Sequence, residues 1–200
     1  MLSQLIGRIC KAILDLIVAG VCSLKINPNS LTFMGFLITI LASVYLARGK
    51  FTQAGLVIIL AGIFDMLDGR VARITNRVTK FGAFFDSVLD RYSDIAMFLG
   101  LMIYYSKGQR LTYMVLSGVV MTGAVMTSYT RARAESLIPL CKVGFMERPE
   151  RLVLMIIGAL ANRMAPVLWV MAFFSNITVI HRIAYTWKQA SRMKERLSSH

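Results

Sequence analysis

The sequence predicts an all-α integral membrane protein, with six transmembrane helices preceded by an amphipathic interfacial helix. Three observations predict it. Hydrophobic residues make up 56% of the 200 and charged residues only 16%, against about 25% charged in a typical soluble domain. With a mean hydropathy of +0.63, too little polar surface remains to cover a water-soluble core. A soluble enzyme, a disordered chain and a collagen-like chain are thereby excluded. Uncharged apolar runs also recur at lengths that suit a bilayer, which about 20 residues cross as a helix. Finally, the cations fall mostly on one side of these runs, as the positive-inside rule requires.

The elements follow in order. In residues 1–24, Leu2, Leu5, Ile6, Ile9, Ile13, Leu16 and Ile17 recur at helical spacing, with Arg8, Lys11 and Asp15 on the opposite face. That pattern predicts a helix lying in the membrane interface. Asp15 interrupts the apolar stretch and argues against a signal peptide. Asn27, Pro28, Asn29 and Ser30 break the chain and can cap the first span. Uncharged runs then cover 31–47, 51–64, 95–106, 111–130, 152–162 and 164–180. The second, third and fifth helices are apolar over only part of their length. Their charged turns are costly in lipid unless they face a water-filled cavity.

Of the 23 basic residues, Arg48, Lys50, Lys107, Arg110 and Arg163 lie on one side of the spans, Arg91 lies within the third helix and seventeen lie on the other side. This bias predicts a multi-pass protein of the cell membrane with both termini in the cytoplasm. The net charge of +13 is therefore topological and implies no nucleic-acid partner. Residues 1–200 read as one domain, with the six-helix bundle over 31–190. Cys10, Cys22 and Cys141 form no CxxC pair and predict neither a disulfide framework nor a zinc site. Neither HExxH nor GxxxxGK[ST] occurs.

Five of the ten acidic residues fall in one stretch: Asp65, Asp68, Asp86, Asp90 and Asp94. Asp65 and Asp68 share a face at the end of the second helix. Gly82, Asp86, Asp90 and Asp94 form a stripe at i+4 intervals on the third. An antiparallel pair brings the two acidic faces together at the cytoplasmic end. Carboxylates gathered beside lipid need cations. Hard oxygen ligands suit Mg²⁺, Mn²⁺ or Ca²⁺ rather than zinc. Two ions could bridge them and leave positions open for a substrate diphosphate. The alternative is a structural network with Arg70, Arg73, Arg77 and Arg91, which four acids at this spacing disfavour.

The run from Asp65 to Asp90 carries DxxDGxxAR, eight residues, then GxxxDxxxD. It resembles the signature of the CDP-alcohol phosphotransferases in every fixed position. The resemblance extends over nearly the whole chain and implies transfer of a phosphatidyl group from CDP-diacylglycerol to an alcohol, with release of CMP. It implies that Asp65, Asp68 and Asp86 hold metal, Mg²⁺ or Mn²⁺ and two ions, with Asp90 completing the site and acting as base. It also implies contacts to the CDP-lipid from Gly69, Arg73, Thr79 and Gly82 and from the turn of Asn27, Pro28, Asn29 and Ser30. Family members often form homodimers, and one is expected here. Asp94 has the right phase but lies a turn deeper, which suits a supporting role.

A second basic cluster bears on the acceptor. Ser128 to Glu135 closes the fourth helix, 147–151 opens the fifth with Pro149 in its first turn, and Arg182 follows the apolar part of the sixth. Several arginines at one membrane face suit a second phosphate, so the expected acceptor is a phosphorylated polyol rather than serine or choline. SYxRARAE and GFxERPERL resemble the phosphatidylinositol-phosphate synthase branch of the family, which implies inositol 1-phosphate as acceptor and Ser128, Arg131, Arg151 and Arg182 as its phosphate ligands. That branch often has Lys where Arg131 stands. Arg133 and Arg148 are equally open to pairing with Glu135, Glu147 or Glu150. The alternatives are the same chemistry on glycerol 3-phosphate and, more remotely, a membrane prenyltransferase or a divalent-cation transporter, which would place its acids nearer the midplane.

Overall fold

Asn27 starts the first helix by accepting the Asn29 N–H through its side chain at 3.1 Å, and Pro28 in the first turn needs no N–H partner. Helix α1 (Pro28–Ala47) is followed by α2 (Phe51–Ile74), α3 (Lys80–Lys107), α4 (Leu111–Glu135), α5 (Arg148–Leu160) and α6 (Met164–Ser198). The computed structural model describes residues 18, 20 and 26–198, with side chains through Met193. All but two residues of the expected interfacial helix lie outside this range. No strand occurs among the described residues.

Several helices outrun the apolar segments that predict them. α2 continues through the acidic motif to Ile74, so only residues 75–79 join it to α3. Thr79 then caps α3, its hydroxyl accepting the Gly82 N–H at 2.9 Å. Gly49, at φ +70°, makes the turn between α1 and α2, a conformation that costs glycine little. α1, α4 and α6 are long and apolar enough to cross a membrane. α5 has 13 residues and at about 1.5 Å each rises about 20 Å, short of the roughly 30 Å hydrocarbon core.

The helices close into a ring. α1 packs on α2 and α3, α2 on α5, α5 on α6, α6 on α4, and α4 on α3. α2 and α3, consecutive in the chain, are not an extended packed pair among the described residues. α1 lies between them, and a cleft opens where their acidic faces converge. The antiparallel pair expected from the sequence thus acts through a shared neighbour.

The ring interior is apolar at one end and charged at the other. All six helices contribute to the apolar end, through Leu46, Ile58, Phe98, Leu101, Val120, Met155, Leu168 and Met171 among others. Fully burying each such side chain contributes about 1.5–3 kcal/mol in water. Inside a bilayer, close packing carries more of the work. Gly100 provides it: a Cβ there would run into the Ser43 carbonyl, so α1 and α3 touch through backbone. Outward-facing side chains remain apolar, including Phe33, Leu37, Leu41 and Val44 on α1 and Trp169, Phe173 and Ile180 on α6. Exposed apolar surface on this scale suits lipid rather than water.

Candidate active site

Because the helices alternate in direction, the C-terminal halves of α2, α4 and α6 meet the N-terminal ends of α1, α3 and α5 at the charged end. Asp65 and Asp68 come from α2; Asp86, Asp90 and Asp94 come from successive turns of α3. One carboxylate oxygen from each of Asp65, Asp68 and Asp86 lies within 4.8 Å of the others. Asp68 is buried, and its Oδ2 has no hydrogen-bond partner among the described residues. An orphaned buried carboxylate oxygen is costly. A hard divalent cation held by the three acids removes that cost, so these residues fit a metal centre.

Guanidinium groups reach three of the five acids, Asp65, Asp90 and Asp94. Arg148 on α5 bridges two of them, with Nη1 donating to Asp65 at 2.7 Å and Nη2 lying 2.9 Å from Asp90. Arg91 lies 3.5 Å from the other Asp90 oxygen. Arg151, one turn beyond Arg148, meets Asp94 at 2.5 Å with both side chains buried. Arg148 therefore faces the aspartates rather than Glu135, Glu147 or Glu150. Arg73 and Arg77 form no ion pair with these aspartates among the described residues. Asp68 and Asp86 form no ion pair among the described residues. Asp94 is buried one turn from Asp90.

Two cavities flank this centre. One, of about 280 Å³, is lined by Pro28, Asn29, Asp68, Gly69, Arg73, Arg77, Thr79, Gly82 and Asp86. A Cβ on Gly69 would meet only the Arg73 guanidinium, at 3.9 Å, so the wall there is open to a ligand. A Cβ on Gly82 would sit 3.0 Å from the Thr79 hydroxyl and 3.1 Å from Asn29 Oδ1, so α1 and α3 meet at this rim. Asn27 and Ser30 do not line the cavity. Asn27 supports it by capping α1.

The second cavity, of about 170 Å³, brings together Ser128 and Arg131 from α4, Arg148 and Arg151 from α5, and Arg182 from α6, with Arg91 and Glu147. The four expected acceptor residues thus share one wall. Arg182 is 1% exposed. It donates to the Thr127 carbonyl at 2.5 Å, the Val143 carbonyl at 2.8 Å and Glu147 at 2.6 Å. Arg131 reaches Glu135 and Glu147, each at 3.2 Å. Arg133 points elsewhere, to the Ser136 hydroxyl. Asp65, Asp90 and Arg148 line a third, small space, which shares Thr32 with the first cavity and Arg148 with the second.

Arg148, Glu147 and Thr32 were not among the expected site residues. Arg148 stands three residues before Arg151 and so shares its helical face. That spacing was a usable signal. Glu147 carried none beyond its place in the basic segment. Thr32 lines the first cavity and returns its hydroxyl to the Pro28 carbonyl at 3.2 Å, a common interior-helix pattern that marks no site.

Comparison with known proteins matches this arrangement to a family. The profile of the CDP-alcohol phosphatidyltransferases fits residues 25–187. The chain belongs to the CDP-alcohol phosphatidyltransferase family. Archaetidylinositol phosphate synthase of Pyrococcus horikoshii is 36% identical over 184 residues, covering 92% of this chain and 95% of the relative. The crystal structure of the Mycobacterium tuberculosis phosphatidylinositol phosphate synthase with CDP-DAG bound superposes with a TM-score of 0.82 at 28% identity, covering 88% of this chain and 94% of that one. The same enzyme in complex with manganese and citrate gives a TM-score of 0.78 at 28% identity, covering 87% and 88%. This phosphatidyltransferase is thus a multi-pass, all-helical membrane enzyme of phospholipid synthesis. Its aspartate cluster has the composition of a divalent-metal site.

Proposed function

We propose that this enzyme transfers the phosphatidyl group of CDP-diacylglycerol to inositol 1-phosphate, giving phosphatidylinositol phosphate and CMP. The observation that carries the proposal is the pair of cavities beside the acidic cluster, one lined by Asp68 and Asp86 and the other by Arg148, which pairs with Asp65 and Asp90. One is built for a nucleotide diphosphate and the other offers arginines to a second phosphate. The two kinds of relative share inositol phosphate in their names and differ in the lipid, which places the common chemistry in the acceptor.

In this reading the donor lies along Gly69, Arg73, Thr79 and Gly82, where Arg73 can bind a phosphate oxygen through two N–H groups. Arg131, Arg151, Arg182 and Ser128 hold the acceptor phosphate and point its hydroxyl toward Asp90. Asp90 accepts the hydroxyl proton, provided the oxygen comes within hydrogen-bond reach. That oxygen attacks the lipid-bearing phosphorus, and the bond to the CMP phosphate breaks. Asp65, Asp68 and Asp86, with Asp90, would hold two Mg²⁺ or Mn²⁺ ions, which would supply neutralisation of the diphosphate and of the charge on departing CMP.

The proposal includes six spans in a single domain, an interfacial N-terminal helix, a homodimer, and an active site on the cytoplasmic side with both termini. The seventeen-to-five cation bias supports that orientation. The test is CMP release from CDP-diacylglycerol and Mg²⁺ with inositol 1-phosphate, glycerol 3-phosphate or no acceptor, on wild type and Asp90→Asn. Release with inositol 1-phosphate only, lost in Asp90→Asn by about 100-fold or more, is the expected result. Release with glycerol 3-phosphate alone would reassign the acceptor.

A further inference from the structure

The acceptor cavity has one carboxylate in its wall, Glu147. It precedes α5 at the N-cap position, yet its side chain makes no capping hydrogen bond. It turns instead into the arginine cluster. Oε1 accepts from Arg182 at 2.6 Å and from Arg131 at 3.2 Å, whereas Oε2 receives only a 3.3 Å contact from Arg131. The side chain is 37% exposed while that of Arg182 is 2% exposed. One oxygen is thus committed to ordering the arginines, and the other retains acceptor capacity at the cavity.

A carboxylate beside bound phosphate is repulsive, because both are anions and acceptors. A neutral hydroxyl has the opposite relation to it, since it donates. A wall that joins arginines to one carboxylate therefore complements a molecule carrying a phosphate and separate hydroxyl donors. We propose that Glu147 is a specificity-determining residue that accepts hydrogen bonds from acceptor hydroxyls other than the nucleophile. It selects phosphorylated polyols over phosphorylated simple alcohols. This rests on the reading of the cavity as the acceptor site.

The test compares kcat/KM for inositol 1-phosphate with that for 3-hydroxypropyl phosphate, which keeps a phosphate and one hydroxyl and lacks the rest. The full-length enzyme is used in detergent with CDP-diacylglycerol and Mn²⁺. The ratio should fall about tenfold or more in Glu147→Ala, the size expected when a charged hydrogen-bond acceptor is lost. Glu147→Gln, which keeps the shape and one carbonyl acceptor, should fall between Ala and wild type. A parallel loss on both acceptors, with the ratio unchanged, would show that Glu147 only orders the arginines and would overturn the proposal. Should Glu147→Ala not fold, by its thermal melt, the Gln variant decides on the same ratio. A wild type that does not use inositol 1-phosphate would instead sink the proposed function, which separates the two failures.

Discussion

The guanidinium of Arg151 meets the carboxylate of Asp94 at 2.5 Å, with both side chains closed off inside the helix ring. One turn earlier on each helix, Arg148 stands 2.9 Å from Asp90. The two rungs tie the acceptor-side helix α5 to the helix that carries the expected base. The inner rung is buried, and the outer rung lies beside the acidic cluster.

Breaking the inner rung leaves a buried guanidinium without its counter-ion, which costs about 3–5 kcal/mol. Asp94→Ala should therefore lower the thermal midpoint in detergent markedly. In the fraction that remains folded it should raise KM for inositol phosphate, because Arg151 loses its orientation. The KM for CDP-diacylglycerol should hold, since Asp94 lines neither wall of the donor cavity. Equal rises in both KM values would count against this division.

Arg148 poses a different case, because it bridges Asp65 and Asp90 where the metal site begins. Arg148→Gln removes one positive charge from a site of clustered acids. The variant should melt lower in EDTA than wild type and gain more from Mn²⁺, by the mass-action stabilisation of a ligand that binds the folded state. Differential scanning fluorimetry with and without Mn²⁺ reads this directly. An identical Mn²⁺-induced shift in both proteins would show that Arg148 does not oppose cation binding.

The apolar end gives a prediction about the fold alone. At Gly100 an added side chain meets the Ser43 carbonyl, which belongs to helix backbone and cannot move aside cheaply. Gly100→Val should separate α1 from α3 and cost about 1–3 kcal/mol, in the range of overpacked cores. The change reads as a lower melting temperature. Gly118, whose added Cβ would meet only the Met102 methyl at 3.8 Å, should tolerate Ala with little change.

Much of this site was legible in the sequence because its residues keep helical phase. Asp65 and Asp68 share a face by spacing, as do Asp86, Asp90 and Asp94, whatever surrounds them. Ser128, Arg131, Arg151 and Arg182 do converge on one cavity. The partner choices were not legible. They depend on the order of helices around the ring, and no local pattern specifies that α2 packs on α1 and α5 rather than along α3. For that reason the bridge from Arg148 to Asp65 and Asp90, and the place of Glu147 between Arg131 and Arg182, emerge only in three dimensions. The 75–79 connection is short, because Thr79 caps α3 and the acidic motif stays helical to Ile74.

The central claim is that Asp65, Asp68 and Asp86 form a divalent-metal centre rather than a set of acids neutralised by arginine. Mn²⁺ binding measured by electron paramagnetic resonance on the detergent-solubilised protein tests it most directly, with Asp68→Asn and Asp86→Asn beside wild type. The expected result is bound Mn²⁺ in wild type and its loss in both variants while each still melts cooperatively. Equal Mn²⁺ binding by all three proteins, or none by wild type, would contradict the claim.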